Sequence, residues 1–146
     1  MENKKEYLAK TSMSINASPA KVWDALINPK IIKKYFFGTE VETDWKPGST
    51  IRWQGEYEGK KYEDKGEVLE VISTKKLQYT YWSSMSGKKD TPENYVTITC
   101  AISKKNEKTV LTFTQDNNHS EKSKQQSIDN WKTVLKKIKS ILEEKK

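Results

Sequence analysis

One cysteine and one histidine in 146 residues remove most of the chemistry a protein this size could carry. Cys100 has no second cysteine to pair with, so no internal disulfide and no thiolate metal site can be built. His119 sits in the polar run Asn117-Asn118-His119-Ser120 and reads as a surface or capping residue before a helix. No nucleophile elbow accompanies Ser120 or Ser123, and no His-x-His or Glu-x-x-His spacing exists. A Gly-rich phosphate loop is also missing, and no apolar window of membrane-spanning length occurs. The opening Met1-Glu2-Asn3-Lys4-Lys5-Glu6 lacks the apolar run of a signal peptide, so a soluble, cytoplasmic protein with no membrane insertion is expected.

What the chain does have is charge and large rings. Its formal charge is +7, with 27 basic residues against 20 acidic. The lysines are spread along the whole length instead of forming one block, which argues against a nucleic-acid partner. Five Trp and seven Tyr supply much of the apolar material, and rings with polar tips suit a partly wet interior. The length fits one domain spanning residues 1–146.

The clearest pattern lies at the end. From Ser120 to Lys145-Lys146, Ile128, Trp131, Leu135, Ile138 and Leu142 recur at steps of three and four, widened by Val134 and Ile141. This spacing predicts one long amphipathic helix. Lys122, Lys124, Lys132, Lys136, Lys137 and Lys139 fall off its apolar stripe and read as a solvated face. Near the other end, Tyr7 to Asn16 alternates as a strand, and two cap-and-proline signals follow it. Ser18-Pro19 starts a helix with Val22, Trp23 and Leu26 buried, and Asn28-Pro29 starts a second with Ile31, Ile32, Tyr35 and Phe36, closed by Gly38.

Strand patterns fill the middle. Thr39 to Thr43 leads into the turn Asp44-Trp45-Lys46-Pro47-Gly48-Ser49. Thr50 to Tyr57 alternates with Ile51, Trp53 and Tyr57 on one face; Glu58-Gly59-Lys60-Lys61 reads as a loop, and a strand from Tyr62 to Ile72 follows. Leu77, Tyr79 and Tyr81 mark the next strand, and Ser83 to Pro92 a polar, mobile loop. Tyr95 to Ile102 and Thr109 to Gln115 flank a hairpin at Lys104-Lys105-Asn106-Glu107.

Strand, two helices, six strands and a long helix is an order that resembles the helix-grip fold of the START-like, Bet v 1-like (SRPBCC) superfamily. The details are most similar to the family of the activator of Hsp90 ATPase. The residues carrying this resemblance are Ile15-Asn16-Ala17-Ser18-Pro19-Ala20-Lys21-Val22-Trp23-Asp24-Ala25-Leu26, the turn Asp44-Trp45-Lys46-Pro47-Gly48, the run Gly66-Glu67-Val68-Leu69-Glu70-Val71, and Trp131 with Leu135. They cover the chain from Thr11 to Leu142. The chain departs from the family at Lys46 and Ser49, where Arg and a second Gly are usual, and at Gln115, where a cavity-facing His is frequent. The resemblance implies an α+β fold with a curved antiparallel sheet of six or seven strands gripped by the C-terminal helix. It also implies a cavity between sheet and helix for a small hydrophobic or amphipathic molecule, without a cofactor.

Phe36, Ile51, Trp53, Tyr79, Tyr81, Leu111, Phe113, Gln115, Trp131, Leu135 and Ile138 are the expected binding residues, with Phe37 near one end. Trp53, Tyr79, Phe113 and Trp131 would form walls, and Gln115 and Tyr81 would orient the guest. Gln115 shares the inward parity of Leu111 and Phe113, so its amide needs a partner: a tyrosine hydroxyl, water or a ligand. Glu56, Glu58, Glu63, Asp64, Glu67 and Glu70 read as a solvated face. No acid–base pair emerges, so no enzyme and no catalytic residue is expected. The family name offers a second class of function, a module that binds a chaperone, although the activator itself carries a further N-terminal domain. The expected assembly is a monomer or weak homodimer.

Overall fold

The computed structural model describes residues 7–36, 38–84 and 86–143 of the chain. Phe37, Lys145-Lys146, the first six residues and the side chain of Tyr57 lie outside the described residues. Strand β1 (Ala9–Ile15) is followed by helices α1 (Pro19–Ile27) and α2 (Pro29–Tyr35). Six strands come next: β2 (Glu40–Glu42), β3 (Thr50–Tyr57), β4 (Lys60–Ile72), β5 (Lys76–Tyr81), β6 (Val96–Lys105) and β7 (Lys108–Gln115). Helix α3 (Glu121–Leu142) ends the described chain. All strands pair antiparallel in one open sheet of order β1-β7-β6-β5-β4-β3-β2, so every neighbour but one is a sequential hairpin partner. The exception closes the fold: β1 pairs with β7, setting Thr11 opposite Phe113 and Met13 opposite Leu111.

The expected caps form. The Ser18 side chain accepts from the Lys21 N–H at 3.2 Å, and Asn28 accepts from the Lys30 N–H at 3.0 Å, each one residue before a proline that has no N–H to satisfy. Gly38 ends α2 in the left-handed region, φ +87°, donating its N–H to the Lys33 carbonyl at 2.8 Å. The buried Tyr35 hydroxyl donates to the Ala25 carbonyl at 2.8 Å and locks the two short helices together.

Two hairpins are tighter than the sequence reading. Glu58 (φ 51°) and Gly59 (φ 82°) alone make the β3–β4 turn, with Tyr57 paired to Lys60. Two successive positive φ values are what a right-twisted hairpin prefers, so Lys60 and Lys61 belong to β4 and not to the loop. Lys105 likewise pairs with Lys108 around Asn106 (φ 60°). Midway along β4 the register with β5 shifts between Val68 and Glu70. Here Gly66 is required sterically, since an added Cβ would drive into the Thr80 carbonyl.

The core lies between the sheet and the helices. Ile15, Ile51, Leu111, Leu135 and Ile138 are all 0% exposed, and Trp131, Val134, Leu135 and Ile138 form the buried stripe of α3. Both ends of that helix are pinned by polar contacts. Near its end, Glu143 accepts from the Asn16 N–H at 2.6 Å and from Lys139 Nζ at 2.7 Å, and Lys139 also donates to the Ser14 carbonyl at 3.2 Å. Lys139 is thus a tether to β1 as well as part of the polar face. No helix among the described residues is long and apolar enough to cross a membrane.

Candidate functional site

Beside the middle of α3 the core does not fill. A pocket of about 660 Å³ opens there, lined by residues from β3 to β7, the end of α2 and α3. Strand parity explains most of its wall. In β3 Trp53 points inward beside Ile51, in β5 Tyr79 and Tyr81 do so, and in β6 Ile98 pairs with Gln115 of β7. Period-two alternation in β4, counted back from the fully buried Val68, brings Gly66, Asp64 and Tyr62 to the same face. Trp53 sits opposite Asp64 in the register, and Gly55 sits opposite Tyr62. Because Gly55 has no side chain, the Tyr62 ring lies over it, where an added Cβ would collide with the ring.

The rings form two groups. Trp131 stacks on Phe113 at 4.4 Å between centroids and meets Phe36 edge-on at 6.3 Å. Across the pocket Trp53 packs against Tyr81 at 5.1 Å and Tyr79 at 5.6 Å. A second void of only about 20 Å³ shares Phe36, Trp53, Tyr79 and Trp131 with the first and also touches Phe113 and Cys100.

Polar groups in the wall divide by whether the protein satisfies them. Gln115 is satisfied: its Oε1 accepts from the Trp131 indole N–H at 2.8 Å, and its Nε2 donates to Ser127 Oγ at 3.3 Å. Ser127 in turn donates to Asn118 Oδ1 at 2.7 Å, and Asn118 Nδ2 donates to the Tyr7 carbonyl at 2.7 Å and the Gln115 carbonyl at 3.0 Å. The partner that the buried amide needs is therefore the helix itself. This chain of bonds latches α3 to the end of β7, and it spends the amide expected to orient a guest.

Asp64 corrects the solvated-face reading directly. It is 7% exposed and lines the pocket. Its Oδ2 accepts from the Tyr81 hydroxyl at 2.6 Å, and its Oδ1 accepts from the Ser84 N–H at 2.9 Å and the Ser84 hydroxyl at 3.3 Å. Grouping β4 by charge missed what its parity with Val68 placed inside. Burial first, then the hydrogen bond to the Asp64 carboxylate, hold the Tyr81 phenol far above its ordinary value, so it stays a donor. Burial likewise raises Tyr79 well above the ordinary range, with the nearby Cys100, Tyr35 and Tyr81 adding to it. Among the described residues neither the Tyr79 hydroxyl nor the Trp53 indole N–H has a hydrogen-bond partner, although both residues are 7% exposed. Among the described residues no unpaired polar side-chain atom is sealed away, so these two keep access to solvent, and both residues line the pocket.

Of the residues expected from sequence, Phe36, Trp53, Tyr79, Tyr81, Gln115 and Trp131 line the large pocket. Phe113 lines only the small void. Ile51, Leu111, Leu135 and Ile138 lie in the packed core at 0% exposure and line neither space. Parity gives the face of a strand or helix but not the depth along it, and these four sit where the layers close. Thr39, Glu56, Tyr62, Asp64, Ile98, Asn130 and Val134 also line the pocket. Tyr62, Asp64 and Ile98 carried a parity signal, and Asn130 lies one helical turn before Val134. Thr39 carried none, and its hydroxyl meets that of Tyr62 at 2.5 Å.

Elsewhere the chemistry is sparse. Cys100 is buried, and burial pushes its thiol far up, away from the thiolate form. His119 is exposed and touches Lys88 Nζ. Among the described residues no three His, Cys, Asp or Glu side chains gather as a metal site would need. The polar loop after β5 is tied down by the Lys65–Asp90 ion pair, by the Tyr95 hydroxyl donating to Asp90 at 2.5 Å, and by the Trp82 indole donating to the Lys88 carbonyl at 3.3 Å.

The model of the family described as activator of Hsp90 ATPase homolog 1-like protein matches residues 16–143, and the chain belongs to that family. A solved protein from Cytophaga hutchinsonii is similar at 47% identity over 93% of both chains, with a TM-score of 0.83. The Aha1 dimer from Colwellia psychrerythraea is similar at 22% identity, covering 93% of this chain and 96% of that one, TM-score 0.73. DynU16, from the dynemicin biosynthetic locus, shares the fold at 16% identity and TM-score 0.77, over 97% of this chain and 48% of its own. No curated protein matches the chain.

Proposed function

We propose that this member of the family is a non-enzymatic receptacle for one small, mostly apolar molecule, held between the sheet and α3. The observation carrying this reading is the unfilled, ring-walled pocket with Trp53 N–H and Tyr79 O–H, on residues nine-tenths buried, left without partners among the described residues. A volume of about 660 Å³ falls inside the range of about 300 to 1,000 Å³ usual for small-molecule sites. The wall offers no imidazole, and burial holds its Tyr79 and Tyr81 phenols protonated, which supports binding over acid–base catalysis.

A thermal-shift screen of apolar and amphipathic compounds tests this reading. A ligand at about a hundred times its Kd adds about 2.7 kcal/mol to the native state, a rise of several degrees. A broad, chemically varied screen with no rise would overturn it. Native mass spectrometry of protein purified from its own host would show a retained guest and the subunit count together.

The family name and the basic surface support a second reading, a module that docks on a chaperone of the Hsp90 type. The two separate on salt. Capture by such a chaperone that fades as salt rises, and survives Trp53→Ala, would favour docking over the pocket.

A further inference from the structure

The pocket's charge is opposite in sign to that of the protein. Though the chain carries 27 basic residues and a net +7, no Lys, Arg or His among the described residues lines the pocket, whereas Asp64 does and Glu56 borders it. A container for a fatty acid or phosphorylated ligand would set a cation in its wall, and here none of the many available has been placed there. From this we infer that the ligand is an organic cation: an amine or quaternary ammonium joined to an apolar body. The inference rests on the receptacle reading above and adds the sign of the guest's charge.

Three features converge on it. First, Asp64 is nine-tenths buried and has no ion pair among the described residues. Among the described residues its two oxygens accept from Tyr81 and twice from Ser84, fewer than the about four lone-pair sites a carboxylate offers. Second, Trp53 lies opposite Asp64 in the sheet register and forms one aromatic cluster with Tyr79 and Tyr81. Ring faces attract cations, and they do so more strongly away from water. A carboxylate beside such a cluster is the arrangement that distinguishes an ammonium group from a neutral one. Third, the Tyr79 hydroxyl, unpaired among the described residues, can accept an ammonium proton, while the Trp53 N–H can donate to an ether or carbonyl on the guest.

Asp64 also has a structural duty, since it caps the Ser84 turn. That duty alone would leave the pocket indifferent to ligand charge, and calorimetry can tell the two apart. Three probes share a naphthyl body: 2-naphthylmethyl-trimethylammonium, 2-naphthylmethanol and 2-naphthylacetate. The cation is expected to bind about tenfold more tightly than the alcohol, and the carboxylate more weakly than either. Asp64→Asn should bring the cation to within about twofold of the alcohol, the ratio of the two affinities being the readout. Should that variant not fold, the order of the three probes on the unaltered protein decides, with Glu56→Gln as a folded control whose cation preference falls only slightly. An alcohol that binds as well as the cation overturns this inference and leaves the receptacle reading standing. Failure of all three probes overturns both.

Discussion

Val134 and Leu135 are neighbours on α3, and they meet different interiors. Leu135 is 0% exposed in the packed core, as are Ile15, Leu111 and Ile138, whereas Val134 lines the pocket. Both interiors share one sheet and one helix. They differ in the size and polarity of what faces the helix. Aliphatic side chains close the layer toward β1, where Glu143 and Lys139 bind the backbone of Ser14 and Asn16. At the other half rings face rings, and a latch from Gln115 to Trp131 holds the helix at a distance set by two long side chains. A helix held by a polar latch need not collapse onto the sheet, so the same packing that stabilises one half leaves a space in the other.

Substitutions at the two neighbours test this contrast most severely. Leu135→Ala should cost about 2 to 5 kcal/mol in urea unfolding, because it opens a cavity in a closed layer. Val134→Ala should cost about 1 kcal/mol, since it only enlarges a space that already exists. Equal losses would mean that the two halves are packed alike. An effect between those two is expected at the latch: Gln115→Leu strands the Trp131 indole N–H and should cost about 1 to 3 kcal/mol. It should also move the Trp131 indole resonance, and no change in either would remove the latch from the explanation.

The phenols respond to pH. Burial raises Tyr35, Tyr79 and Tyr81 above their ordinary value in the folded state, so the unfolded chain loses its phenolic protons first. Stability is therefore full below about pH 10 and falls as pH rises beyond it toward the folded values. Tyr81→Phe should flatten part of that fall, and an unchanged slope would show that the ring is not held as described. The smallest effect is reserved for a site remote from both halves. Glu40→Gln, which removes the exposed Lys33–Glu40 pair, should change stability by no more than about 0.5 kcal/mol.

Much of the filled half was legible in the sequence, and the pocket half only in outline. Ser18-Pro19, Asn28-Pro29 and Ser120 announced their helices because caps act within three residues, and the stripe through Trp131, Leu135 and Ile138 fixed the buried face of α3. Leu111 and Leu135 could not be told from wall residues, because an apolar side chain turned inward looks the same whether it meets a neighbour or a void. Asp64 was obscured by its charged neighbours Glu63 and Lys65, although its place two residues before Gly66 and four before Val68 assigned it to the interior. Gln115 was recognised as a buried amide needing a partner, but Ser127 and Trp131 lie across a loop and a helix turn that strand periodicity does not reach.

The five tryptophans make the pocket itself observable. In a proton–nitrogen correlation spectrum, 2-naphthylmethanol should shift the indole signals of Trp53 and Trp131. Trp82, stacked on Tyr95 away from the pocket lining, should stay where it is. Saturable movement of those two signals is the expected result. Movement of Trp82 alone, or of no indole at any probe concentration, would contradict a binding space between the sheet and α3.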